Sequence, residues 1–292
     1  MTESVLITGA SGFIGDYLLE ALKYDPNFTV TTTSLSKKPK VDNSHFFVDL
    51  LNQDEAIKLI RAVRPKILIH LAWIATPNVY ANSDANDVWL SSTKCLFDTF
   101  LEFGGQRIIV AGSCAEYEQN YEAIALTEDA PLSKATKFSM AKNELFEYVN
   151  YLAIRHNFSY AWLRFFYLFG DGEPSVKLYS KIVDSCKSAE KLVIRSPDSL
   201  IDFIHVEDAV FFIYKSLQMT QSFVCNIGTG TGIRVRALLD SVKEFLPRDF
   251  EVTYGHETAI NLVSNNAQLN RIFGDFKFIR IENKLAKAIK NL

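Results

Sequence analysis

The stretch Val5-Leu6-Ile7-Thr8-Gly9-Ala10-Ser11-Gly12-Phe13-Ile14-Gly15-Asp16-Tyr17-Leu18-Leu19 decides the fold. Val5 to Thr8 is short and apolar, which reads as a buried strand, and Asp16 onward opens a helix-like run. Between them stand three glycines at three-residue spacing. Gly9 permits a tight turn, Gly12 lets backbone N–H groups approach a pyrophosphate, and Gly15 allows the helix to pack closely on the strand. The helix N-terminus favours an anion at the same place. Ser11, Phe13 and Ile14 share the turn, so the candidate dinucleotide contacts run from Gly9 to Gly15.

Outward from this turn the chain alternates. Apolar runs at 28–33, 45–48, 67–71, 107–111, 158–165 and 223–227 are separated by helix-like stretches that include 53–63, 84–103 and 138–156. Strands alternating with crossover helices predict an α/β fold with a doubly wound parallel sheet of the Rossmann type. After 166 the rhythm breaks into loops, a helix near 174–188, a strand-like segment at 191–195 and a helix at 206–218. The expected organisation is a dinucleotide-binding domain over 1–165, to which 200–230 returns, and a smaller substrate-binding part over 166–292.

Composition narrows the class. In 292 residues, 48% are hydrophobic, 22% are charged and the net charge is −3, which excludes disordered and collagen-like chains. No Lys/Arg run exceeds Lys37-Lys38, so neither a nucleic-acid nor a membrane partner is expected. Cys95, Cys114, Cys186 and Cys225 are widely spaced, which argues against a zinc site or a disulfide framework and fits a cytoplasmic chain. No segment approaches the roughly 18 apolar residues of a membrane span.

Further motifs follow in order: Asp49-Leu50, His70-Leu71-Ala72, Gly112-Ser113-Cys114-Ala115-Glu116-Tyr117, Leu163-Arg164, the run Phe169 to Glu173, the run Asp202 to Asp208, and Asn226-Ile227-Gly228-Thr229-Gly230. Together with the G-x-x-G-x-x-G turn, this series resembles the extended branch of the short-chain dehydrogenase/reductase superfamily. That branch holds sugar-nucleotide epimerases, dehydratases and ketoreductases. The resemblance implies a nicotinamide cofactor, with Asp49 and Leu50 near its adenine and Leu71 and Ala72 in the cofactor site. The second strand ends without the acid that binds the ribose hydroxyls of NAD. Ser34, Ser36, Lys37 and Lys38 there suit a 2′-phosphate, so NADP is favoured, with NAD as the alternative.

The resemblance also implies a catalytic group of a Ser/Thr after the fifth strand and a Tyr-x-x-x-Lys on the next helix, in which the phenol exchanges a proton with the sugar oxygen. Ser113 and Lys142 match. The tyrosine position is Phe138, whose ring cannot donate, accept or ionise; loss of a positioned acid/base lowers rate by about 10²–10⁴. Three explanations stay open: a phenylalanine placed by design, a different acid/base, or a non-catalytic NAD(P) binder. Glu116 and Cys114 are the candidate substitutes, and Tyr117 reads as packing.

On the substrate side, relatives clamp a nucleoside diphosphate with arginines. One such position is Ile201 here, leaving Lys177, Lys181 and Arg195 as candidate cations, with Trp73 as a candidate pocket wall. Arg164 reads as half of a buried ion pair, and Asp202, His205 and Asp208 as structural. The function implied is NADP-dependent reduction or epimerisation of a nucleotide-linked 4-keto-sugar in deoxysugar pathways; dehydration is disfavoured because the Asp-Glu pair of dehydratases is missing. Relatives commonly form homodimers through two long helices, here 84–103 and 138–156, where Cys95, Phe97, Leu101, Phe146 and Val149 serve that contact or the core.

Overall fold

A computed structural model describes residues 2–37, 39, 41, 43–119, 121–122, 124–188, 191–243 and 251–291. Lys38, grouped above with the cofactor-selecting cations, lies outside them. In chain order the elements begin β1 (Glu3–Thr8), α1 (Phe13–Leu22), β2 (Phe28–Ser34), β3 (Ser44–Phe47), α2 (Gln53–Val63), β4 (Ile67–His70), α3 (Ala85–Glu102), β5 (Arg107–Ser113), α4 (Lys137–Arg155) and β6 (Ser159–Phe165). They continue with β7 (Tyr167–Phe169), α5 (Leu178–Ser188), β8 (Leu192–Ile194), β9 (Leu200–His205), α6 (Val206–Leu217), β10 (Phe223–Ile227), β11 (Gly232–Arg234), α7 (Val235–Lys243), β12 (Val252–Tyr254), β13 (Asn261–Leu262), α8 (Ala267–Phe273) and α9 (Ile281–Lys290).

The expected doubly wound sheet is present. Seven strands lie in the order β10-β6-β5-β4-β1-β2-β3, and β1 is flanked in parallel by β2 and β4, with Thr8 opposite both Thr33 and His70. The order reverses beside β1, the topological switch at which ligands gather at the carboxyl ends of strands. β1 and β4 are buried along nearly their whole length, as parallel strands covered on both faces must be.

The chain divides into two compact units. The first comprises Met1–Glu118, Pro131–Arg164 and Val210–Cys225, and the second Gln119–Ala130, Phe165–Ala209 and Asn226–Leu292. The return to the first unit is thus shorter than 200–230. β9 belongs to the second unit because its pairing partners are β7, β11 and β13.

The first unit's core includes Leu6, Leu68, Phe97, Phe100, Ile108, Val149 and Trp162. Phe97 and Val149, read above as either dimer contact or core, are both fully buried in it. Local signals explain several ends: the Asn52 side chain accepts from the N–H groups of Asp54 and Glu55 at the start of α2, and Thr136 and Ser139 form a reciprocal capping box for α4. The second unit has its own core around Phe169, Ile182, Ile194, Phe203, Leu238 and Leu285. No helix among the described residues is long and apolar enough to cross a membrane.

Candidate active site

The glycine turn has the geometry of a phosphate cradle. Gly9 sits at φ +72°, and a Cβ there would lie 2.7 Å from the Ala72 nitrogen; one on Gly15 would lie 2.5 Å from the Ala10 oxygen. Leu71 and Ala72 are therefore pressed against the turn, with the Leu71 N–H donating to the Thr8 carbonyl at 3.1 Å. Gly12 caps α1 without any side-chain bond, so the first-turn N–H groups are left to an acceptor from outside the helix. Ser11, Phe13 and Ile14 are half-buried around it. These features fit a dinucleotide pyrophosphate.

At the end of β2 the Ser34 hydroxyl donates to the Lys37 carbonyl at 2.6 Å and meets His45 Nε2 at 3.1 Å, which shapes the turn and leaves Ser36 and Lys37 exposed. Asp49 accepts from the Leu51 N–H at 2.9 Å, and Leu50 beside it is buried. Its carboxylate thus helps to form the turn into α2.

The end of β5 is built around Glu116. One carboxylate oxygen accepts from the Ser113 N–H at 2.7 Å; the other accepts from Trp162 Nε1 at 2.9 Å and Arg164 Nε at 2.7 Å. Arg164 also donates to the Tyr117 phenol at 2.9 Å. Glu116 and Arg164 are both fully buried. The expected ion pair of Arg164 is therefore present, and its partner is the residue read above as a substitute acid/base. Glu116 has both oxygens engaged away from solvent, so it shapes the Ser113 loop rather than exchanging a proton with a ligand. Gly112 belongs to the same design, because a Cβ there would lie 2.6 Å from Trp162 Nε1 and 2.8 Å from Glu116 Oε1.

Ser113 ends β5 with its hydroxyl accepting from the Ala115 N–H at 3.1 Å. Lys142, buried on α4, donates to the Ala111 carbonyl at 3.0 Å and lies 4.0 Å from the centre of the Trp73 ring. Burial pulls its pKa down to about 8, against the charge of Glu116, which favours the ammonium. Phe138 is one turn earlier, its ring centre 6.0 Å from the ammonium nitrogen. Ser113, Cys114, Phe138, Lys142 and Trp73 thus gather around the end of β5 and the start of α4. Trp73 stacks on Trp89 at 5.9 Å and donates to Asn86 Oδ1 at 2.9 Å. His70 lies beneath, held by Thr8 and Thr93 at 2.9 and 3.3 Å, and burial lowers its pKa to about 3, so it stays neutral.

One neighbour escaped sequence reasoning. Tyr80, in a short 3₁₀ turn Tyr80–Asn82, packs edge-on against Phe138 with ring centres 5.0 Å apart and planes at 85°. Its loop follows no helix or strand period, so sequence patterning carries no signal for it.

In the second unit, a cavity of about 400 Å³ is lined by Tyr167, Leu178, Lys181, Arg195, Ser196 and Ile201, among others. That volume suits a small-molecule ligand. Ile201 makes an apolar wall, and the cations at the cavity are Lys181 and Arg195; the Arg195 guanidinium is 4.0 Å from Glu257. Lys177 is exposed and is not among the lining residues. Asp202 is structural as expected: it accepts from the N–H groups of Thr229, Gly230 and Ser264 at 2.8, 3.0 and 3.1 Å.

A profile of the NAD-dependent epimerase/dehydratase family matches residues 5–228. The chain belongs to that family. Among curated relatives, the dTDP-6-deoxy-L-talose 4-dehydrogenase (NAD(+)) of Aggregatibacter actinomycetemcomitans is 24% identical over 250 residues, covering 83% of this chain and 89% of the relative. The GDP-6-deoxy-D-talose 4-dehydrogenase of the same organism is 23% identical over 300 residues, covering 98% and 97%. Among solved structures, the UDP-glucose 4-epimerase of Thermotoga maritima with UDP-glucose superimposes with a TM-score of 0.87 at 17% identity, covering 98% of this chain and 97% of that one. This last likeness shows the shared fold. Against the pattern that the sequence resemblance implies, the glycine turn, Ser113 and Lys142 stand at the matching positions, and Phe138 and Ile201 depart from it.

Proposed function

We propose that the chain reduces a keto group, at C4, of a nucleotide-linked deoxysugar, using NADP in preference to NAD. The observation that carries this reading is the Lys142 ammonium bonded to the Ala111 carbonyl, two residues before Ser113. A cation is thus held at the carboxyl end of β5, the strand that Ser113 ends. Gly9, Gly12, Gly15 and the free N-terminus of α1 would hold the pyrophosphate, Lys142 the nicotinamide ribose, and Ser36 with Lys37 a 2′-phosphate. When bound in reduced form, the nicotinamide supplies a hydride. Ser113 would orient the carbonyl oxygen by donating to it, and the ring of Trp73 would exclude water from one side of Lys142.

Reduction is preferred to dehydration because Glu116 is locked to Arg164 and Trp162. It is preferred to epimerisation because that reaction must first remove a proton from a sugar hydroxyl, and the apolar Phe138 stands where the base would be. Two of the curated relatives, each named as a 4-dehydrogenase of a nucleotide-linked 6-deoxytalose, support the reaction class, while others are named as 4-epimerases. The second-unit cavity would take the nucleoside diphosphate, with Lys181 and Arg195 at the phosphates.

The test is NADPH oxidation against a panel of nucleotide-linked 4-keto-6-deoxysugars. Turnover with at least one member, lost when the nucleotide is removed, supports the reading. Tight NADPH binding without turnover on any member would replace it with a non-catalytic binder.

A further inference from the structure

We propose that Tyr80 is the proton donor of this site, standing in for the phenol that Phe138 lacks; the assignment rests on the reductase reading above. Four observations converge on it. The Tyr80 ring packs edge-on against the Phe138 ring, which brings a phenol from the loop after β4 beside the position of the missing one. Its hydroxyl makes no hydrogen bond with any described residue, although the side chain is half-buried. A half-buried phenol without a protein partner is suited to one supplied by a ligand.

The third observation is positional. The Tyr80 backbone is held on both sides: its N–H donates to the Thr76 carbonyl at 3.0 Å, and its carbonyl accepts from Asn86 Nδ2 at 2.6 Å. Asn86 is fully buried, and its Oδ1 accepts from Trp73 Nε1 at 2.9 Å. One amide therefore sets both the Trp73 ring over Lys142 and the Tyr80 ring against Phe138. The fourth is electrostatic. Desolvation raises the Tyr80 phenol above its ordinary value, and Cys114, next to Ser113, lies near enough to raise it further whenever its thiol is ionised. Such a phenol is protonated at neutral pH, so the proton is present to be given, although the shift itself makes the phenol a weaker acid.

The chemistry balances. The carbonyl carbon accepts the hydride and its two electrons as the C=O π bond opens, and the oxygen takes the proton from the Tyr80 hydroxyl. The ketone becomes an alcohol, the nicotinamide is oxidised, and the Tyr80 phenolate recovers a proton from water.

The test compares the native protein with Tyr80→Phe, Phe138→Tyr and the double variant, using NADPH and the 4-keto-sugar panel. Expected for Tyr80→Phe is a fall in kcat of about 10²-fold or more with the NADPH dissociation constant, read by fluorescence, within about threefold of native. Restoring a phenol on α4 in the double variant is expected to recover at least tenfold of that loss. A Tyr80→Phe protein that keeps kcat within about threefold, or that loses NADPH binding in step with rate, would overturn the assignment. If the native protein reduces no sugar in the panel, the reductase reading fails separately. Tyr80 is then judged by its ¹³Cζ resonance on adding NADPH and nucleotide-linked sugars: a shift supports a phenol at the ligand, and no shift overturns it.

Discussion

Neutralising Glu116 would leave the Arg164 guanidinium buried without its charged partner, and such a loss destabilises by about 3–5 kcal/mol. Glu116→Gln is therefore expected to lower the unfolding free energy by that order, measured by urea denaturation at pH 7. An acid/base role would instead spare stability and reduce turnover alone. Lys37 is the opposite kind of residue: exposed, outside the core, and placed by the bond from Ser34 to its carbonyl. Lys37→Glu is expected to raise the KM for NADPH about tenfold or more while changing that for NADH less than threefold. Equal effects on both cofactors would remove the case for a 2′-phosphate contact. Ser113, Phe138 and Lys142 were singled out through the family resemblance, and helix spacing added only that 138 and 142 share a face. Glu116 was misread because its partners, Trp162 and Arg164, are more than forty positions away in the chain and reach it only through the sheet.

At the scale of elements, α5 is organised by a carboxylate from the loop before it. Glu173 Oε1 accepts from the Ser180 N–H at 3.0 Å, and burial pushes the Glu173 pKa up to about 7 from an ordinary 4.5. The folded state then holds more protons than the unfolded one between those values, so stability falls as pH rises from about 4.5 to 7. Asp208 adds to the slope: burial raises it to about 6 while it accepts from the Ile279 N–H at 2.7 Å. Glu173→Gln is expected to flatten this dependence and to stabilise the protein at pH 8 by on the order of 1–2 kcal/mol. Urea midpoints at pH 5 and pH 8, with and without the substitution, check it. The helices as far as α6 were legible to within a few residues, since caps such as Asn52 and Thr136 act through immediate neighbours, whereas α7, α8 and α9 were not marked out individually. The second sheet was not: β7, β11 and β13 are two or three residues long, and they qualify as strands only by pairing with β9.

For the molecule as a whole, the two sites proposed above, one in each compact unit, make a binding prediction. NADPH at about a hundred times its dissociation constant is expected to stabilise by about 2.7 kcal/mol. Among UDP, dTDP, GDP and CDP, the nucleotide that fits the second-unit cavity is expected to raise the thermal midpoint as well. The double substitution Lys181→Ala with Arg195→Ala should abolish the nucleotide gain and leave the NADPH gain intact. Calorimetry reads both, and a nucleotide gain that survives the double substitution would place the diphosphate elsewhere.

Read by itself, the sequence determined the α/β class, the glycine turn and the spacing that puts positions 138 and 142 on one helix face. Those features follow from periodicity, backbone sterics and helix spacing, all of them local. Only the tertiary structure decided that Glu116 answers Arg164, that Asn86 ties Trp73 to Tyr80, and that a phenol from the loop after β4 lies against Phe138. These depend on burial and on contacts between segments far apart in the chain, and neither leaves a period in the sequence from which it can be read.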